Sequence, residues 1–204
     1  HRNEDGSVAR IPDSLTTVFH TAAGREVRDG GGVSPDIEVK QERLPNILFY
    51  LVRDNLIFDY ATDYCLKHPA IASAKEFELT DADYEEFKNK VKGADFKYDQ
   101  QSEKILNTLK EAAEFEGYMK DASDEFKALE NKLKHNLDRD LDYFSKDIKK
   151  MIAEEIIKRY YYQEGAIIQQ LKDDKDLDEA VKVLTNPERY QQILSVTAVT
   201  AKKE

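Results

Sequence analysis

Phe126-Lys127-Ala128-Leu129-Glu130-Asn131-Lys132-Leu133-Lys134-His135-Asn136-Leu137-Asp138-Arg139-Asp140-Leu141-Asp142-Tyr143-Phe144-Ser145-Lys146-Asp147-Ile148-Lys149-Lys150-Met151-Ile152 is the stretch that decides the fold. Phe126, Leu129, Leu133, Leu137, Leu141, Phe144, Ile148 and Ile152 recur every three or four residues, with Lys, Asp and Glu between them. That period puts them on one face of a helix, in a nearly heptad stripe. An apolar stripe of this length left in water would be an unusually large patch. It is therefore expected to pack against other helices and to be the main scaffold of its domain. The sequence leaves two points open. The helix either runs on through Ile156 to Tyr160 or breaks near Asn136, where His135-Asn136-Leu137-Asp138 offers a new cap. Its partner is either another helix of this chain or a second subunit, which would make a homo-oligomer through helical faces.

The nearest partner lies upstream. Pro45 suits the first turn of a helix, and the apolar run from Ile47 to Phe58 continues to Cys65 and Leu66 before Pro69 stops it. Being apolar around most of its circumference, this helix is expected to be central. Thr80 with Asp83 reads as a capping box with Asp in place of Glu. Tyr84, Phe87 and Val91 follow at helical spacing, and Gly93 is placed to end the helix. A third helix is expected from Ser102, using Ile105, Leu106, Leu109, Ala113 and Met119. Beyond the stripe, Gly165 is expected to interrupt the helix before Ala166–Leu171. Asp176 is expected to cap a helix through Leu184, and Asn186-Pro187 to start a last one ending near Leu194.

Residues 1–43 have a different period. Thr16–Thr21 and Arg25–Arg28 flank Ala22-Ala23-Gly24 as two short strands around a hairpin loop, and Ile37-Glu38-Val39 alternates as a third. Two or three such strands are marginal alone and need a sheet to join. The reading is thus mainly α: a β segment over 1–43, a helical domain over 44–194 and a disordered tail over 195–204. The chain opens on His1 with no charged-then-apolar leader, and is expected to be cut from a longer polypeptide.

Composition narrows the function classes. The 204 residues hold 41 acidic against 31 basic side chains, a net charge of -10, which argues against a nucleic-acid partner. One cysteine, Cys65, excludes an internal disulfide and a multi-cysteine zinc site. Gly30-Gly31-Gly32 leads into Val33-Ser34-Pro35-Asp36, without the Lys and helix start of a phosphate loop. Asp138, Asp140 and Asp142 copy the first ligand positions of a calcium loop, as do Asp174, Asp176 and Asp178. The loop's sixth and twelfth positions are then Tyr143 and Lys149, or Glu179 and Thr185, so both fail. His1, His20, His68 and His135 form no metal-spaced pair on one helix. Cys65 reads as a small buried hydrophobe, and Lys127, Lys146 and Lys149 sit on charged helical positions, unsuited to act as a desolvated base. Arg159-Tyr160-Tyr161-Tyr162 reads as core packing of one or two tyrosines or as an aromatic docking patch. The residues alone give no catalytic group, no metal site and no cofactor.

One segment carries a resemblance. Phe19-His20-Thr21-Ala22-Ala23-Gly24-Arg25-Glu26-Val27-Arg28-Asp29-Gly30-Gly31-Gly32-Val33-Ser34-Pro35-Asp36 is similar to the closing segment of the carboxy-terminal processing peptidases, or tail-specific proteases. Thr21, Gly24, Arg25, Gly31, Gly32, Val33, Pro35 and Asp36 match their ordered pattern, and the helical tail resembles the extension on members from the Bacteroidetes group. The resemblance implies a serine endopeptidase parent in the periplasm or cell envelope, with a Ser nucleophile, a Lys base and a PDZ domain upstream in the same polypeptide. Its substrates would be proteins or peptides cut near their C-termini. No residue here matches the catalytic Ser or Lys, so the fragment is expected to be inactive alone, its helices positioning, oligomerising or gating the protease. The matching residues are expected to be structural, Arg25 pairing with Asp36. The competing reading is a free-standing acidic helical interaction module.

Overall fold

The computed structural model describes residues 11, 13–29, 35–40 and 43–195. Helix makes up 65% of the chain, beside one two-stranded antiparallel sheet among the described residues. The chain is mainly α with a short β segment. It forms two compact units, residues 1–41 with 173–204, and residues 42–172.

In the first unit β1 (Val18–His20) pairs with β2 (Glu26–Arg28), Phe19 opposite Val27. Gly24 closes the loop at φ 82°, where a side chain would strain the backbone. The hairpin is the one the sequence predicts. The third strand is not: Ile37-Glu38-Val39 joins neither strand of that sheet and is irregular among the described residues. The last two helices, α8 (Lys175–Leu184) and α9 (Pro187–Leu194), also belong to this unit. Asp174, not Asp176, caps α8, accepting the Leu177 N–H at 2.9 Å. Asn186 caps α9 at 3.1 Å, with Pro187 in its first turn.

The larger unit holds α1 (Asn46–Arg53), α2 (Leu56–Lys67), α3 (Asp81–Gly93), α4 (Gln101–Phe115), α5 (Ser123–Leu133), α6 (Leu137–Tyr143) and α7 (Ser145–Gln170). The expected single helix over Pro45–Leu66 is two, because Asn55 adopts a left-handed conformation (φ 58°) that Asn tolerates. Nor is it buried all round. Ile47, Leu48, Leu51, Leu56, Ile57, Tyr60 and Ala61 face the core, while Phe49, Val52, Phe58 and Leu66 face water. The core lies where α2 packs on α7 and α3 packs on α2 and α6. Thr80 caps α3 in a full capping box with Asp83, as predicted.

The long stripe breaks at Asn136, whose Oδ1 accepts the Arg139 N–H at 3.0 Å and starts α6. Only its later half is core. Leu141, Ile148 and Ile152 are fully buried and the apolar row continues into Ile156 and Ile157. Leu129 is 42% exposed and Phe126 and Leu133 are half-buried, so the stripe is not one scaffold helix. α5 packs on α4, where Lys110 Nζ donates to Glu130 at 2.7 Å. Of the residues expected to pack in α4, Leu106 and Ala113 are buried, Ile105 and Leu109 are exposed, and Met119 lies past the helix end.

α7 reverses direction within its length. Tyr162 has φ 55° and ψ -152°, and Gln170 Nε2 donates to Glu154 Oε1 at 2.8 Å although the two are 16 residues apart. In a straight helix that separation is about 24 Å of axis. The limb after Tyr162 therefore folds back on the limb before it. Gly165 does not break the helix; it lets the limbs approach. A Cβ there would lie 2.4 Å from Tyr161 Cβ and 2.8 Å from Ile157 Cγ2.

Candidate functional site

The motif residues of the first unit hold one turn. Thr21 Oγ1 accepts the Arg25 N–H at 3.1 Å, and the Thr21 carbonyl accepts the Gly24 N–H at 2.9 Å. The Arg25 guanidinium grips the Asp36 carboxylate with both terminal nitrogens, the pairing the sequence suggests. A fork of this kind fixes two chain segments with geometric specificity. Pro35 is exposed beside it. Gly31, Gly32 and Val33 lie outside the described residues, as does the glycine run weighed as a phosphate loop. What this constellation supplies is position: an ion pair and a loop, without a nucleophile.

In the larger unit the chemistry-bearing side chains hold helices together. Asp140 is buried and accepts from Tyr98 Oη, from Gln100 Nε2 at 3.0 Å and from Arg139 at 3.0 Å. Burial, then the bond to Asp140, pushes the Tyr98 hydroxyl well above its ordinary value. Lys88 is buried between Asp142 at 2.6 Å and Glu85 at 2.9 Å, and these bonds raise its ammonium. Asp138 pairs with Lys92. The first aspartate row weighed for calcium is thus spread over three separate contacts. Among the described residues no group of three or more His, Cys, Asp or Glu side chains could hold a metal. His20 is exposed on β1, His68 stacks on Tyr64 at 4.0 Å, and His135 meets the Tyr98 ring edge-on, so none joins another. Cys65 is half-buried against the core. Lys149 pairs with Asp81 and Lys127 lies 3.7 Å from Asp124, neither desolvated as a base requires.

The densest polar constellation is a clamp in which α7 grips main-chain carbonyls. Arg159 donates to the Phe58 carbonyl at 3.0 Å and lies 4.6 Å over the Phe58 ring. Tyr160 donates to the His68 carbonyl, and Tyr161 to the Ala72 carbonyl at 3.1 Å. Burial first, and then Cys65, pushes the Tyr160 hydroxyl up to about 12. Beyond the reversal, buried Gln169 donates at 2.9 Å to both the Ala74 and Phe77 carbonyls, and Lys172 donates to Phe77 at 2.8 Å. Apart from the Phe58 carbonyl, which lies within α2, these acceptors belong to α2's end and its connection to α3, and α7 with Lys172 just beyond it supplies the donors. Tyr160 therefore packs against the core, Tyr161 is exposed and tied by its hydroxyl, and Tyr162 is 79% exposed. The sequence reading missed Gln169 and Lys88 and weighed Asp140 only as a calcium ligand, since polar residues at core positions leave no mark in an apolar period.

The described residues contain no helix long and apolar enough to cross a membrane. Neither a curated protein nor a solved structure matches the chain. A family model does: the one described as "Probable PDZ-protease, C-terminal helical domain" matches residues 47–184, from the first turn of α1 to the end of α8. With most of its length inside that match, the chain belongs to the family of C-terminal helical domains of PDZ-proteases.

Proposed function

We propose that this chain is the C-terminal region of a tail-specific serine protease of the periplasm or cell envelope. Upstream regions of the same polypeptide supply the PDZ domain and a Ser/Lys dyad that cleaves proteins near their C-termini. The helical region positions, oligomerises or gates the protease and takes no part in bond cleavage. The observation that carries this reading is the Arg25–Asp36 fork. It ties Arg25, inside the segment that resembles the protease's closing strands, to Asp36 at that segment's end, shortly before the helical domain that the family model matches from residue 47. The family match supports a place beside other protease regions; cleavage specificity and the helical role are inferred from the resemblance. Buried Lys88 and buried Asp140 support a non-catalytic role, because each is already held by a partner.

The coding sequence upstream of His1 tests the parent. A PDZ region followed by segments bearing the Ser and Lys is expected, and a start codon close to His1 would overturn the proposal. The chain by itself is expected to leave a C-terminally labelled unstructured peptide intact. Removing residues 44–194 from the longer protein is expected to change its oligomeric state, its substrate length preference or its basal turnover. A truncated protease identical to the parent in all three would show that the helices have no such role.

A further inference from the structure

We propose that residues 163–171 form a latch that swings about Tyr162, between the observed position folded against the first limb of α7 and a straight continuation of that helix. The inference does not depend on the protease reading. Four observations carry it. Tyr162 holds a backbone conformation, φ 55° and ψ -152°, that suits glycine and strains a side-chain-bearing residue. Its side chain makes no compensating burial, being 79% exposed. The folded position is held by polar contacts that can be released together: Gln169 to Ala74 and Phe77, Lys172 to Phe77 and Gln170 to Glu154. Finally, the straight alternative is written in the sequence. Ile167 and Leu171, exposed in the folded position, fall at helical spacing on the face of Ile156 and Tyr160 and would prolong that apolar row.

The two positions oppose different terms. Folding back costs the Tyr162 backbone and gains hydrogen bonds and the burial of Ala166. Straightening relaxes Tyr162 into the helical region and frees the Ala74 and Phe77 carbonyls. Gly165 favours the folded position by allowing close approach of the limbs, where a Cβ would meet Tyr161 and Ile157. An element with two such arrangements is a switch, which any ligand or neighbouring domain that prefers one arrangement can bias.

Spin labels at positions 154 and 170, in the full chain with Cys65→Ala, replace the Gln170–Glu154 bond, leave the Gln169 and Lys172 contacts in place and read the two positions directly. The folded latch gives a short distance, and the straight one separates the sites by about 24 Å along the axis. The expected result is a dominant short distance that shifts toward the long one in Gly165→Ala, whose methyl group collides with Tyr161 and Ile157 only when folded back. A short distance alone, in both proteins, would overturn the proposal. If Gly165→Ala does not fold, amide exchange decides. Residues 163–171 are expected to exchange faster than residues 148–157, and Tyr162→Gly, which removes the strain, to slow them roughly tenfold. Exchange of both segments through one common opening, with no slowing in Tyr162→Gly, would equally overturn it.

Discussion

Replacing Gln169 by Leu tests whether the clamp on the α2–α3 connection contributes to stability. The side chain is 8% exposed and both of its amide hydrogens are used, at 2.9 Å to the Ala74 carbonyl and 2.9 Å to the Phe77 carbonyl. Leu keeps the volume and removes both donors. The Phe77 carbonyl keeps Lys172 as a donor, so one bond there is lost without orphaning the acceptor. The Ala74 carbonyl loses its side-chain donor and is left buried. A lost net bond is worth about 0.5–1.5 kcal/mol and an orphaned buried acceptor about 1–3 kcal/mol, giving an expected loss of about 2–4 kcal/mol. Gln170 is the control: it is exposed and bonds only at the surface with Glu154, so Gln170→Leu is expected to change stability by less than about 0.5 kcal/mol. Urea denaturation of the full chain followed by helical circular dichroism measures both. Equal midpoints for Gln169→Leu and Gln170→Leu would refute the reasoning.

Ile152→Ala is expected to cost about 2–5 kcal/mol and Leu129→Ala less than about 1 kcal/mol, because Ile152 is 0% and Leu129 42% exposed; similar urea midpoints would contradict this division of the stripe. Burial raises the hydroxyl pKa of Tyr60, Tyr84 and Tyr98, so the folded state holds these protons longer than the unfolded state does. Stability from them is full below the unfolded value of about 10 and falls as pH rises beyond it, so alkaline unfolding is expected to coincide with late tyrosine ionisation in an absorbance titration. Tyrosines that all titrate together near 10 in a folded chain would count against it. Arg25→Ala and Asp36→Ala are each expected to deprotect the Thr21 amide in hydrogen exchange, with little further change in the double substitution; additive effects would show that the fork does not act as a pair.

Local chemistry was the legible part of this sequence. The Thr80–Asp83 capping box, the Asn186-Pro187 start and the Gly24 loop each depend on residues adjacent in the chain, and each is where the spacing places it. Arg25 and Asp36 were readable as a pair through the resemblance. The misjudged burials share one cause. Apolar period reports which face is greasy, not what covers it: Ile105, Leu109, Phe58 and Leu66 are on period but exposed. The reversal at Tyr162 could not be read because the strained residue is neither Gly nor Pro. The nearby glycine, Gly165, has its role in approach rather than in breaking the helix. Gln169 was invisible for a related reason, since its partners are carbonyls about ninety residues earlier and no local pattern encodes them.

The pairing of α2 with α7 has a consequence during synthesis. Leu56, Ile57, Tyr60 and Ala61 leave the ribosome well before Ile148, Ile152 and Ile156, which complete their core. At about 5–20 residues per second, the intervening stretch takes roughly 5–20 seconds to translate. Throughout that interval the early helices carry an unsatisfied greasy face, which α1 and α3 shield only in part. A nascent chain in this condition is a client for holding factors, and synonymous codons that lengthen the wait before Ile148 are expected to lower the yield of folded protein without altering a single residue.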